Sequence, residues 1–204
     1  DEKVIVSGGF LEFSGARIDV VSPSNESLKK LLSKWKFEKP DSFLTAGGSN
    51  DYKQTFEELL ANDPFKEDSS KHNGSSIAFI LSYEGKKLLL LGDAHPSIVI
   101  EGIKNLGYSS ESPLKVDYVK LSHHGSKANT NYEFLSLIDC ENYIISTDGS
   151  RHNLPNKTTL ARIHKINPNA NFLFNYGSLI NRIFSSQELE GEVIASKLEG
   201  YIEL

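Results

Sequence analysis

Between residues 76 and 167 the sequence alternates apolar runs with amphipathic stretches, and this alternation restricts the fold more than any other feature. The apolar runs are SIAFILSYEGKKLLLLGD, which the turn Glu84-Gly85 divides in two, then KVDYVKLSHHGS and NYIISTDGS. The stretches between and after them, PSIVIEGIKNLG, NYEFLSLIDC and NKTTLARIHKINP, have the spacing of helices. Strands that alternate with helices indicate crossover connections. We therefore predict an α/β fold with parallel strand pairs.

The residues before this region predict further elements. The segment KVIVSGGFLEFSGARIDVVSP alternates short apolar runs with glycine-containing turns, which is typical of two or three strands in a meander. SNESLKKLLSKWKF predicts a helix with Ser24 or Asn25 as its N-cap, and DYKQTFEELLAND a short helix before Pro64. A chain of 204 residues suits one domain, so we assign residues 1–204 to a single unit.

Composition excludes several classes of protein. A formal net charge of −5 gives no basic footprint for nonspecific nucleic-acid binding. The one cysteine, Cys140, excludes an internal disulfide and a cysteine-rich zinc site, and it suits a reducing compartment. No apolar stretch approaches the length of a membrane span, and the first residues lack the features of a secretion signal. We therefore expect a cytoplasmic protein without a membrane partner.

Three successive predicted strands end in polar groups. Asp93 follows the second apolar run of the hairpin, His123 and His124 follow the next strand, and Asp148 follows the third. A crossover returns the chain to a parallel neighbour, so Asp93 and His123 should lie at the same edge of the sheet, where α/β folds place ligands. Adjacent strand residues face opposite ways, so only one of the two histidines should enter a given site unless the strand has already ended.

A carboxylate and an imidazole at one edge indicate metal chemistry. Such oxygen and nitrogen donors suit zinc, manganese or iron, and a carboxylate can bridge two ions. A pair of ions can supply hydroxide near neutral pH and hold a phosphoryl or acyl oxygen.

Three segments in this order, LLLLGDA, KLSHHGS and STDGSRHNLPNKTTLARI, resemble the metallo-β-lactamase-fold hydrolases, in the branch that includes the nuclease-like domains of DNA-uptake competence proteins. The resemblance covers residues 76–167, and the opening meander and IDVVSPS also resemble that domain. It implies an αββα sandwich with a mixed sheet flanked by helices. It also implies that Asp93 bridges two zinc ions and His123 binds one, with manganese or iron as alternatives. His152 or Asp148 would contact substrate or assist proton transfer.

The sequence departs from that family in two places. The family signature His-x-His-x-Asp-His is absent, and Leu154 precedes Pro155 where the branch commonly has histidine. Because the sequence also lacks methionine, we interpret the chain as the C-terminal portion of a longer hydrolase. Its apolar sheet face would be covered by the missing N-terminal half or by a homodimer partner. The complete protein would hydrolyse a phosphodiester or related ester, with nucleic acid as one option, and the isolated chain would be inactive.

Two other functions stay open. The chain could be a non-catalytic binding or scaffold protein that keeps this half of the fold. It could also be a metal-free hydrolase that uses Ser126 with His123 or His124, although it has no Gly-x-Ser-x-Gly segment. Of the other histidines, His95 is interpreted as a surface residue at a helix start and His72 as a loop residue; either could be a further ligand.

Overall fold

The main sheet of the computed structural model, which describes residues 4–35, 50–191 and 193–199, contains eight strands. Two further short strands, Leu114–Lys115 and Ile138–Asp139, form a separate parallel pair. The ten strands in chain order are β1 (Phe10–Phe13), β2 (Ala16–Ser22), β3 (Ala78–Tyr83), β4 (Lys86–Leu90), β5 (Leu114–Lys115), β6 (Tyr118–Lys120), β7 (Ile138–Asp139), β8 (Asn142–Ile145), β9 (Asn171–Phe174) and β10 (Ile194–Lys197).

Seven α-helices and three short 3-10 turns connect the described strands. The helices are α1 (Asn25–Trp35), α2 (Phe56–Ala61), α3 (Pro96–Asn105), α4 (Tyr132–Ser136), α5 (Lys157–Ile166), α6 (Ile180–Ile183) and α7 (Ser186–Gly191). The 3-10 turns are Asn73–Ser75, Ser122–Gly125 and Gly177–Leu179. Within the described ranges no helix is both long and apolar enough to span a membrane.

The sheet is mixed, with the strand order β1-β2-β3-β4-β6-β8-β9-β10. The first four strands pair antiparallel, and β4, β6, β8, β9 and β10 pair parallel. The hairpin between β3 and β4 turns at Glu84 and Gly85, which have φ angles of 47° and 82°. A two-residue turn of this kind matches the twist of its strands. The predicted α/β class, with a mixed sheet flanked by helices, is confirmed. That the chain is the C-terminal part of an αββα sandwich stays a prediction.

One face of the sheet forms the core. Helix α4 contacts both α3 and α5, and the three helices share a buried apolar cluster with the strands. The strand residues on this face are less than 4% exposed: Ile80, Leu89, Val119, Tyr143 and Phe172. Fully burying a large apolar side chain contributes about 1.5–3 kcal/mol, so this layer anchors the strands whose ends carry the site.

The opposite face of the sheet is also apolar but less covered. Phe79 pairs with Leu90 and Leu81 pairs with Leu88, and all four side chains are half-buried. By strand alternation they point away from the helix-covered core. The expected partner on this face, a second copy or a missing half, stays a prediction.

Candidate functional site

The carboxyl ends of β4 and β6 bring Asp93 and His123 to one edge of the sheet. Leu90, the last residue of β4, lies opposite Lys120, the last residue of β6. Beyond the strands, the His123 backbone N–H donates a 2.9 Å hydrogen bond to the carbonyl oxygen of Gly92. The neighbourhood that the crossover connection predicts is therefore present.

The two histidines lie after the end of their strand. β6 ends at Lys120, and His123 and His124 have left-handed φ angles of 44° and 57° within the turn Ser122–Gly125. Their ring centroids are 6.2 Å apart with the planes at 62°. Strand alternation no longer applies to residues in such a turn, so each ring can meet a different neighbour. Left-handed backbone at non-glycine residues is unfavourable and concentrates at functional sites, which makes this turn a functional candidate.

The next residue, Gly125, explains how the turn is held. Its φ is 88°, and a Cβ there would lie 2.7 Å from the Cβ of Pro155. The loop after β8 therefore packs directly on the histidine turn, and only glycine satisfies both the conformation and the space.

Around His123 the structure places a set of polar side chains from three loops, here called the His123 cluster: Asp68, Asn73, His95, His123 and Asn129. His123 Nδ1 lies 3.3 Å from Asn129 Oδ1 and 3.5 Å from Asp68 Oδ2. The amide nitrogen of Asn73 is 3.4 Å from the same ring atom and donates to Asp68 Oδ2 at 2.7 Å. Two acceptors and one donor lie near Nδ1, and the two acceptors favour the tautomer with the proton on Nδ1, in which Nε2 of the neutral ring has a lone pair.

The charges of the cluster stabilise one another. Burial raises the pKa of Asp68, but hydrogen bonds from His123, Asn73 and the Ser70 backbone outweigh it and hold the pKa well below its usual range. The hydrogen bond to Asp68 raises the pKa of His123, burial opposes this, and the charge of Asp93 adds to the increase. Asp68 is therefore ionised near neutral pH, and its carboxylate orients the His123 ring.

His95 is part of this cluster, so its interpretation as a surface residue is wrong. Its side chain is 13% exposed, because α3 begins against the turn Asn73–Ser75. A Cβ at Gly74 would lie 2.8 Å from the His95 Cε1, which shows how closely the ring is covered. The ring Nε2 is buried, has no hydrogen-bond partner in the described parts of the chain, and lies 3.9 Å from Asp68 Oδ1. A buried imidazole nitrogen without a partner is costly unless something binds it.

His124 points to the other neighbouring strand. Its Nδ1 donates a 2.6 Å hydrogen bond to the carbonyl oxygen of Ser146, the first residue after β8. Ser126 is 7% exposed, and its Oγ accepts a hydrogen bond from the Ala128 backbone N–H. Across the described residues, no hydrogen bond joins Ser126 Oγ to either histidine ring, so the metal-free serine hypothesis gains no support.

Asp148 and His152 lie in the exposed loop that follows β8. The Asp148 carboxylate accepts a hydrogen bond from the Ser150 backbone N–H at 2.8 Å, and His152 has a left-handed φ of 57°. In the described residues no hydrogen bond or ion pair connects either side chain with Asp93 or His123. Their role in contacting substrate or moving protons stays a prediction.

Sequence reasoning missed three members of the cluster: Asp68, Asn73 and Asn129. For Asp68 and Asn73 the available signal was compositional, because the loop PFKEDSSKHNGSS concentrates aspartate, histidine and asparagine just before a buried strand. His72 lies in the same loop; its carbonyl oxygen accepts a hydrogen bond from Ser75 Oγ and so helps to form the turn that carries Asn73.

The cluster fits a divalent cation in its chemistry but not as a preformed geometry. Its two imidazoles and its one carboxylate are ligands that zinc, manganese and iron accept, and His95 Nε2 has no hydrogen-bond partner among the described residues. In the part of the chain that the structure describes, however, no three His, Cys, Asp or Glu side chains converge closely enough to hold an ion. A bound cation would therefore require local rearrangement of these side chains, or a ligand from elsewhere.

No protein-family model and no curated protein matches the sequence. Two chains of solved structures match, and one of them is described as "Crystal structure of hydrolase AbOPH in beta lactamase superfamily". It is similar at 12% sequence identity with a TM-score of 0.39, over 98% of this chain and 64% of that chain. This chain thus spans less than two thirds of that structure. So weak a likeness carries no argument about function, which depends on the geometry above.

Proposed function

We propose that this chain belongs to a metal-dependent hydrolase of phosphodiesters or related esters, with Asp93 and His123 as metal ligands. The observation that carries the proposal is the orientation of His123. Its Nδ1 faces the Asp68 carboxylate and the Asn129 amide oxygen, which favours the tautomer whose Nε2 lone pair can bind a cation. Metal-binding histidines usually donate their other ring N–H to a carboxylate or carbonyl in this way. The His123 backbone bonds to Gly92, the residue before Asp93, so both proposed ligands lie at one edge of the sheet.

Each residue of the site then has a defined task. His123 would bind the cation through Nε2, and Asp93 would bind it through its carboxylate. Asp68 orients His123, and Asn129 ties the cluster to the sheet edge by donating to the carbonyl oxygens of Asp93 and Ala94. His95 Nε2 is the remaining nitrogen of the cluster that could bind the cation. The bound ion, zinc or alternatively manganese or iron, would act as a Lewis acid on the ester or phosphoryl oxygen.

A non-catalytic binding or scaffold protein is the second candidate. The observation that favours it is that no three donor side chains converge within the described residues. In that case the His123 cluster would stabilise the two loops that meet at the sheet edge, and Asp68 would be its central acceptor.

Zinc titration of the metal-free chain by calorimetry separates these two functions. We expect binding that weakens about tenfold or more in Asp93→Asn and in His123→Ala, since loss of a ligand costs more than loss of its outer partner. His164→Gln is the matched control, because that ring lies in α5 against Phe56, 5.3 Å between centroids. Zinc binding that is equal in all four proteins would favour the scaffold function.

A further inference from the structure

Lys120 occupies an unusual place for a lysine, at the carboxyl end of a central strand. Val119, its neighbour in β6, is fully buried in the helix-covered core. Lys120 therefore projects to the opposite, apolar face of the sheet. On that face it lies between Leu90 of β4 and Ile144 of β8, its register partners in the parallel pairs.

Lys120 is half-buried, and its ammonium group has no hydrogen-bond or ion-pair partner in the ranges that the structure describes. Other lysines of the chain pair with carboxylates, as Lys86 does with Asp117 and Lys104 with Glu133. Burial lowers the pKa of Lys120, and the charge of Asp93 partly opposes this effect. A partly desolvated cation without a direct ion pair is unfavourable, so an anion that approached it would be bound well.

The position of Lys120 connects it with the proposed site. Lys120 lies three residues before His123. Its partner in the neighbouring strand, Leu90, lies three residues before Asp93. An anion held by Lys120 would thus lie at the edge of the sheet that carries both proposed metal ligands.

We propose that Lys120 is a substrate-binding residue that recognises the negative charge of a phosphate ester. This assignment rests on the proposed function, since it gives the proposed hydrolase site its substrate class. Lysine binds phosphate as a compact point charge, and its flexible stem can lie along the apolar sheet face while the ammonium reaches the phosphoryl oxygens. A carboxylate has the same sign of charge, so the test includes one.

Binding of inorganic phosphate to the full chain in EDTA tests the proposal without any catalysis or metal. The proteins are the wild type, Lys120→Met, Lys120→Arg and the control Lys115→Met, whose lysine is 83% exposed near the opposite end of the strands. We expect wild-type binding that weakens about tenfold in Lys120→Met, because a hydrogen bond to a charged group contributes enough for that factor. Lys120→Arg and Lys115→Met should bind phosphate as the wild type does.

Four outcomes decide the matter. The order just given, with acetate bound at least tenfold more weakly than phosphate, supports the proposal. Equal phosphate binding by the wild type and Lys120→Met overturns it, and so does an absence of phosphate binding in the wild type. Acetate that binds as well as phosphate overturns the substrate class. If circular dichroism shows that Lys120→Met is unfolded, Lys120→Gln replaces it with the same expectation.

The zinc titration keeps this test separate from that of the proposed function. Lys120→Met should bind zinc as the wild type does, because Lys120 is not a ligand. If phosphate binding depends on Lys120 but the chain binds no zinc, the anion site is supported and the proposed metal-dependent hydrolase is contradicted.

Discussion

Replacing Arg162 by methionine should lower the free energy of unfolding by about 3–5 kcal/mol. Arg162 lies in α5 and is 2% exposed, and its guanidinium forms a two-point ion pair with Asp63, which is 8% exposed. Its Nη1 donates 2.6 Å hydrogen bonds to the carbonyl oxygens of Lys127 and Thr130. These two carbonyls flank Asn129, so the arginine supports the loop that supplies one member of the His123 cluster.

The magnitude follows from what the substitution leaves behind. Methionine keeps much of the volume of the side chain, so the cavity term is small. The Asp63 carboxylate, however, stays buried without its counter-charge, and removal of one partner of such a pair costs about 3–5 kcal/mol. Two carbonyl groups also lose their donors, but entry of water limits that further loss. With a urea dependence of about 2 kcal/mol per molar, the midpoint should fall by about 2 M.

Urea unfolding followed by far-ultraviolet circular dichroism measures this change, and a double-mutant cycle tests its cause. If the unpaired carboxylate dominates the cost, Asp63→Asn should recover a large part of the loss when it is added to Arg162→Met. A loss of less than about 1 kcal/mol in Arg162→Met would refute the reasoning. A full loss that Asp63→Asn does not relieve would show that the carbonyl contacts matter more than the ion pair.

Two further predictions concern other parts of the fold. Gly102→Ala should destabilise the chain by about 1–3 kcal/mol in the same urea assay, because α3 lies so close to β2 that a Cβ would be 2.8 Å from the Val21 Cα. The control Gly191→Ala should be neutral or stabilising, since no described atom lies within 4 Å of a Cβ at that position. Glu188→Gln should cost about 1–2 kcal/mol at pH 7, because Glu188 lies 2.7 Å from the 3% exposed Lys157 ammonium. Burial raises the pKa of Glu188, but Lys157 and Ser185 together hold it below the usual value. The difference between wild type and variant should therefore be constant above about pH 4.3, shrink below it, and vanish as the pH falls through the lower pKa of the folded state; a difference that did not shrink with falling pH would contradict this assignment.

The placement of Asp93 beside His123 was predictable from the sequence because it depends only on connectivity. An apolar strand, a helix and a second apolar strand give a parallel pair, and the residues after the two strands then meet. The hairpin turn at Glu84-Gly85 and helices α1, α3 and α5 were predictable for a similar reason, since caps, turns and periodicity are local. The interpretation of His95 failed because burial at a helix start depends on which loop packs there, here the turn Asn73–Ser75.

The cluster around His123 depends on contacts that no local pattern encodes. Asp68 reaches Asn129 across 61 positions because the two loops pair through their backbones, with the Asp68 N–H donating to the Ala128 carbonyl oxygen at 3.1 Å. A period or motif describes one segment at a time, whereas this contact needs both loops and the arginine that supports the second of them.

The turn after β6 explains how two adjacent histidines can both lie at the edge of the sheet. Strand alternation would send one of them into the core, but it ends with Lys120, and the left-handed turn directs both rings along the sheet edge instead. His123 meets Asp68 on the side of β4, and His124 binds the Ser146 carbonyl oxygen on the side of β8. The pair therefore links the cluster to the start of the loop that carries Asp148.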